Sequence, residues 1–116
     1  MISAVARARF QRYGSRKVSQ VLEQVRGKSV WMASQILPRV PRASAVLVAK
    51  AIQSAAANLN SRAGKKLDPK EVFVSSAWVG QGPMGPLKRV MPAPMGRAMT
   101  FKRKMCHLTV VVSSEA

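Results

Sequence analysis

The sequence predicts an α+β domain: a small antiparallel three-stranded sheet packed by three helices, with a long extended β-hairpin. Three observations predict it. Segments of period-two apolar alternation stand near the start and near the end of the chain. Between them lie segments with apolar residues at i, i+3, i+4 and i+7, the signature of one buried helical stripe. Finally, Gly80 to Met105 reads GQGPMGPLKRVMPAPMGRAMTFKRKM, rich in glycine, proline and methionine, basic, and free of acidic residues. Ordinary connections run to about 4–6 residues, so a loop of this length is either functional or disordered.

The first strand alternates, with Ala4, Ala6, Ala8 and Phe10 expected inward and Val5, Arg7 and Arg9 outward. Tyr13-Gly14-Ser15 makes a turn, with Ser15 placed to cap a helix. From Arg16 to about Val25 the helical stripe is Val18, Val21, Leu22 and Val25, and Gly27 ends it. Ser29 can cap a second, short helix with Ala33, Ile36 and Leu37 inward, stopped by Pro38 and Pro41. The third helix, about Ala43 to Asn60, is expected to turn Val46, Ala49, Ile52, Ala56 and Leu59 to the core. A strand over Glu71 to Val79 is expected to place Val72, Val74 and Trp78 on one face and Phe73, Ala77 and Val79 on the other. A last strand, His107 to Ser113, sets Leu108, Val110 and Val112 against Thr109 and Val111. These two strands bracket the basic stretch and are natural antiparallel partners. The helices then cover one face of the sheet.

At 116 residues the chain is sized for a single domain, 1–116, with a body of 1–79 and 106–116 and an arm of 80–105. Each side of the arm has roughly 12–13 residues, which at about 3.3 Å each could carry the tip about 40 Å from the sheet. No core is available out there, and an isolated ribbon is marginal in water, so a partner is expected to order it.

Charge narrows the function. Twenty Lys and Arg face four acids, a formal net charge of +16 with a pI near 11.8. Self-repulsion of that size is compensated by a polyanionic partner, where phosphate neutralisation releases counterions. The basic groups at the first strand and turn are Arg7, Arg9, Arg12, Arg16 and Lys17. Arg26 and Lys28 flank Gly27, and the arm carries Lys88, Arg89, Arg97, Lys102, Arg103 and Lys104. Arginine can fork onto phosphates or stack on bases. Lys65, Lys66 and Lys70 read as solvated loop charges. Five of the seven methionines lie in the arm, outside the periodic segments, as flexible contacts to bases, sugars or a passing peptide.

Catalysis is not expected. Cys106 adjoins His107, but neighbours on a strand point to opposite faces, and no acid nearby in sequence orients the imidazole. One cysteine allows no intramolecular disulfide, which fits a reducing compartment, and a metal site lacks its other ligands. His107 reads as a satisfied histidine or one touching phosphate. No cofactor motif is present, no stretch reaches the roughly 20 apolar residues of a membrane span, and MISAVARARF lacks the apolar run of a secretory signal. An architectural DNA-binding protein with a β-ribbon arm is the alternative reading; an enzyme using Cys106 is a weaker third.

VRGKSV, the helix end SAAANLNS, the run GP-x-x-x-LKRVMPAPMGRA and the terminal CHLTVVVS together resemble the bacterial-type large-subunit ribosomal protein L twenty-two family, over about Ser3 to Glu115. The resemblance implies an α+β body on the large subunit and a β-hairpin running through 23S-type ribosomal RNA to the wall of the nascent-peptide exit tunnel. It implies neighbouring ribosomal proteins and the nascent peptide as partners, and no homo-oligomer. By match, Leu87, Lys88 and Arg89 occupy the segment where changes in the family alter macrolide response. Pro92, Gly96 and Arg97 match the tip and return strand; Lys102, Arg103 and His107 match the base. The tunnel tip is therefore expected over Leu87, Lys88, Arg89, Met91, Pro92, Ala93, Pro94, Met95 and Gly96. Ala93, Pro94 and Met95 stand where the family carries basic residues, leaving a more apolar tip. The Cys106-His107 pair is similar to plastid members, so the expected location is a plastid stroma or a bacterial cytoplasm.

Overall fold

The computed structural model describes residues 2–83, 88–102 and 104–114. Its elements run β1 (Ile2–Gln11), α1 (Ser15–Leu22), α2 (Val30–Ile36), a 3-10 turn (Leu37–Arg39), α3 (Ala45–Ala63), β2 (Val72–Gln81), β3 (Lys88–Pro92), a turn over Pro94–Gly96, β4 (Ala98–Lys102) and β5 (Cys106–Ser114). An antiparallel sheet of order β1-β5-β2 forms the body, and β3-β4 is a separate two-stranded ribbon. This is the α+β architecture expected.

The core lies between the sheet and the helices. Ala4, Ala6, Val72, Val74, Ala77, Leu108, Val110 and Val112 meet Val18, Val21, Leu22, Val48, Ile52, Ala55 and Leu59, all buried. The helix α3 packs on β1 and β5, and α1 packs on β2. Alanines on β1 let α3 approach closely. Leu22, Leu59 and Leu108 are each fully buried, a gain of about 1.5–3 kcal/mol apiece over exposure.

Each sheet edge is covered in part. On β1, the Asn58 amide donates to the Val5 carbonyl at 3.0 Å and Arg62 to the Ser3 carbonyl at 2.8 Å. On β2, Gly27 N–H donates to the Val74 carbonyl and Val74 N–H to the Lys28 carbonyl, each at 2.9 Å. The backbone groups so occupied are withdrawn from pairing with another chain.

The structure corrects several expectations. A bulge between Val74 and Ser76 resets the alternation of β2, so Ala77 is buried with Val72 and Val74 while Trp78 is exposed. A second irregularity between Ala8 and Gln11 turns Phe10 out of the core. The inward stripe of α3 is Val48, Ala51, Ile52, Ala55 and Leu59; Val46 faces solvent, and Ala49 and Ala56 are only partly covered. Ser15 is the first residue of α1, and Gly14 holds the capping position without a side-chain bond. Ile36 is only partly buried, whereas Ala33 and Leu37 are inward. The Ser29 cap forms as expected, its hydroxyl accepting from Met32 N–H at 3.2 Å.

Candidate nucleic-acid interface

In the ribbon, backbone register sets Lys88 opposite Lys102, Arg89 opposite Phe101, Val90 opposite Thr100, Met91 opposite Met99 and Pro92 opposite Ala98. Because side chains alternate, Arg89, Met91, Met99 and Phe101 share one face. Val90, Met91, Met99 and Arg89 are exposed. The ribbon closes where Ala93 N–H donates to the Arg97 carbonyl at 3.0 Å and Arg97 N–H approaches the Pro94 carbonyl at 3.4 Å. Met95 and Gly96 both take positive φ there, at 61° and 69°, and Met95 is 94% exposed. The turn thus spans Ala93 to Arg97, while Lys88 and Arg89 stand in the outgoing strand behind it. Of the expected tip and arm positions, Leu87 and Arg103 lie outside the described residues, and Lys88 and Lys102 are described by backbone alone.

The body contributes a second basic region where the ribbon departs. Arg7 and Arg9 on β1, Arg12 after it, and Arg16 and Lys17 on α1 are exposed. A Cβ placed on Gly14 would sit 3.9 Å from the Lys104 Cδ, so Lys104 lies beside the turn that carries Arg12 and Arg16. His107 is partly covered on the sheet face away from the helices, and Arg7, Arg9, Phe10, His107, Leu108 and Thr109 line a cavity of about 280 Å³. Arg26 has a structural share: its Nε donates to the Ala77 carbonyl at 2.9 Å, which fixes the α1–α2 connection to β2. Lys28 is exposed, with its carbonyl engaged by Val74.

Cys106 is fully buried. Burial pushes its thiol up, with a backbone hydrogen bond from Tyr13 as the smaller, opposing influence. A buried, protonated thiol is a poor nucleophile, and His107 sits on the opposite face of β5. Sequence reasoning missed Phe10 and Trp78 as surface residues. The signal hiding both was unbroken period-two alternation, which two bulges interrupt.

Fold and surface together define a class: a small, strongly basic α+β protein with a projecting β-ribbon, its charges spread over body and ribbon. Residues 6–113 match the model of the family ribosomal protein L22p/L17e. The chain is also 44% identical over 112 residues to the large ribosomal subunit protein uL22 of Endomicrobium trichonymphae, covering 97% of this chain and 92% of that one. The chain belongs to the ribosomal protein L22p/L17e family, whose members are structural and not enzymes. That membership favours the ribosomal reading over the architectural DNA-binding alternative.

Proposed function

We propose that this protein is built into 23S-type ribosomal RNA, its body held on phosphates and its β3-β4 ribbon reaching through the RNA to the wall of the nascent-peptide exit tunnel. It is a structural constituent of the large ribosomal subunit, alongside rRNA and other ribosomal proteins. The bacterial relative is compatible with the cytoplasmic alternative for its location.

One observation carries the finer reading. The radius of gyration is 17.4 Å, with extents of 65 × 26 × 16 Å, against about 13 Å for a compact chain near this length. The excess is the ribbon, which exposes Val90, Met91, Met95 and Met99. A ribbon that buries so little is marginal in water. Basic residues along it, with an uncharged stretch from Met91 to Met95 at its far end, fit a surrounding polyanion and a tip facing a passing peptide. Recognition would work through RNA shape and backbone contacts.

Binding of the full chain to a 23S-type rRNA transcript, with duplex DNA as competitor, tests this. Preferential binding to the rRNA supports the reading; preference for duplex DNA contradicts it. A variant lacking residues 84–99 is expected to keep a folded body and residual RNA affinity. Loss of the body's fold would show that body and ribbon are not separable.

A further inference from the structure

We propose that the cavity formed by Arg7, Arg9, Phe10, His107 and Thr109 binds one unpaired nucleotide of RNA, the base on the Phe10 ring and the phosphate between the two arginines. The inference rests on the RNA-binding reading above and adds to it a specific, single-stranded contact.

Phe10 is the key. It takes φ of 57°, a left-handed conformation that is a strained outlier for a bulky side chain. Strain of this kind persists where the surroundings impose it, and it clusters at ligand sites. Here the β1 irregularity between Ala8 and Gln11 imposes it. The result is an aromatic ring that leaves the core and stands 58% exposed. Packing alone does not account for this, because continuing the strand would have sent the ring inward.

The ring is also held in place. Phe10 N–H donates to His107 Nδ1 at 3.0 Å, and the two rings meet edge to face with centroids 4.9 Å apart and planes at 86°. With Nδ1 accepting, the imidazole's N–H donor is at Nε2, which is not used by this bond. Register places Trp78 and Arg7 on either side of Thr109. All three share the helix-free face, and Trp78 is half exposed. This face therefore offers two aromatic side chains, two arginines and a histidine.

That combination suits an unstacked nucleotide. Single-stranded RNA is recognised by stacking bases on aromatic rings and on guanidinium planes, with cations tracking the backbone. A duplex backbone would use the arginines but not the rings. A carboxylate from a neighbouring protein would likewise satisfy Arg7 and Arg9 and leave Phe10 and Trp78 uncovered. The volume of about 280 Å³ falls just below the range of about 300–1,000 Å³ for whole ligand sites, in keeping with a contact to one nucleotide and no more.

The test uses the full chain, fluorescein-labelled decauridylate as probe, and the variants Phe10→Gly and Phe10→Asn. Both replacements accept positive φ, so both are expected to keep the melting temperature at or above that of the parent. Each is expected to weaken decauridylate binding about 5- to 150-fold, the range for loss of one stacked base. Ultraviolet cross-linking of the parent should attach the probe at Phe10 or His107. Unchanged affinity in both variants, with cross-links confined to residues 88–102, would overturn the site while leaving the rRNA reading intact if rRNA binding still fell steeply with salt. A parent chain that bound neither decauridylate nor rRNA would sink both readings. Variants that bound RNA normally but lost association with another large-subunit protein would give the cavity to protein and overturn the nucleotide.

Discussion

Phe10 N–H donates to His107 Nδ1 at 3.0 Å, tying the irregular end of β1 to β5 at the point where the ribbon leaves the body. Removing the acceptor leaves a backbone donor without its partner. The bond is exposed, so water can reach the freed donor, and His107→Ala is expected to destabilise the fold by about 0.5–1.5 kcal/mol. His107→Asn, whose Oδ1 can replace Nδ1, should recover most of that. Thermal unfolding followed by circular dichroism reads both; equal losses in the two variants would show that the hydrogen bond is not what holds this corner.

The inward stripe of α3 makes a paired prediction. Leu59 is fully buried and Val46 is 60% exposed. Leu59→Ala should cost about 2–5 kcal/mol, and Val46→Ala should stay within about 0.5 kcal/mol of the parent. Chemical denaturation measures both, and a large cost at Val46 would restore the stripe expected from sequence.

These two sites also show where sequence reading stops. Element order, sheet composition and the faces of β5 were legible, because Leu108, Val110 and Val112 alternate without interruption. The bulges were not, since inserting one residue at Ser75 or near Phe10 leaves no local composition signal yet flips every side chain beyond it. On α3, alanines and valines occupy several faces, so apolar spacing alone cannot fix its rotation. At the interface, the basic residues stood out by charge. Phe10 did not, because an aromatic residue at an inward-alternating position reads as core.

Cys106 supplies a pH prediction. Burial raises the thiol's pKa, so the folded state favours the neutral form. The associated stabilisation is fully present below the unfolded value of about 8.5. It is lost as pH rises through the folded value. Relative to Cys106→Ala, the parent should thus lose stability as pH climbs above about 8.5. Its thiol should also react with a maleimide far more slowly when folded than in denaturant. Equal rates in the two states would mean that the thiol is accessible.

Gly82 and Met105 mark the neck of the ribbon. Gly82 N–H donates to the Met105 carbonyl at 2.9 Å, and a Cβ on Gly82 would come within 3.0 Å of the Met105 Cβ and 3.3 Å of its carbonyl carbon. Gly82→Val must push the two backbones apart, at about 1–3 kcal/mol for an overpacked site. Hydrogen exchange at the residue-82 amide should accelerate and the melting temperature fall. Unchanged exchange would show that the neck tolerates a side chain.

The central claim is that the +16 charge is matched by RNA phosphates along both body and ribbon. The dissociation constant for a 23S-type rRNA transcript, measured across a salt series, tests it most directly. If about six or more phosphates are neutralised, log K should fall against log salt with a slope of about −4 or steeper, taking roughly −0.7 per phosphate. A slope near zero would contradict the account.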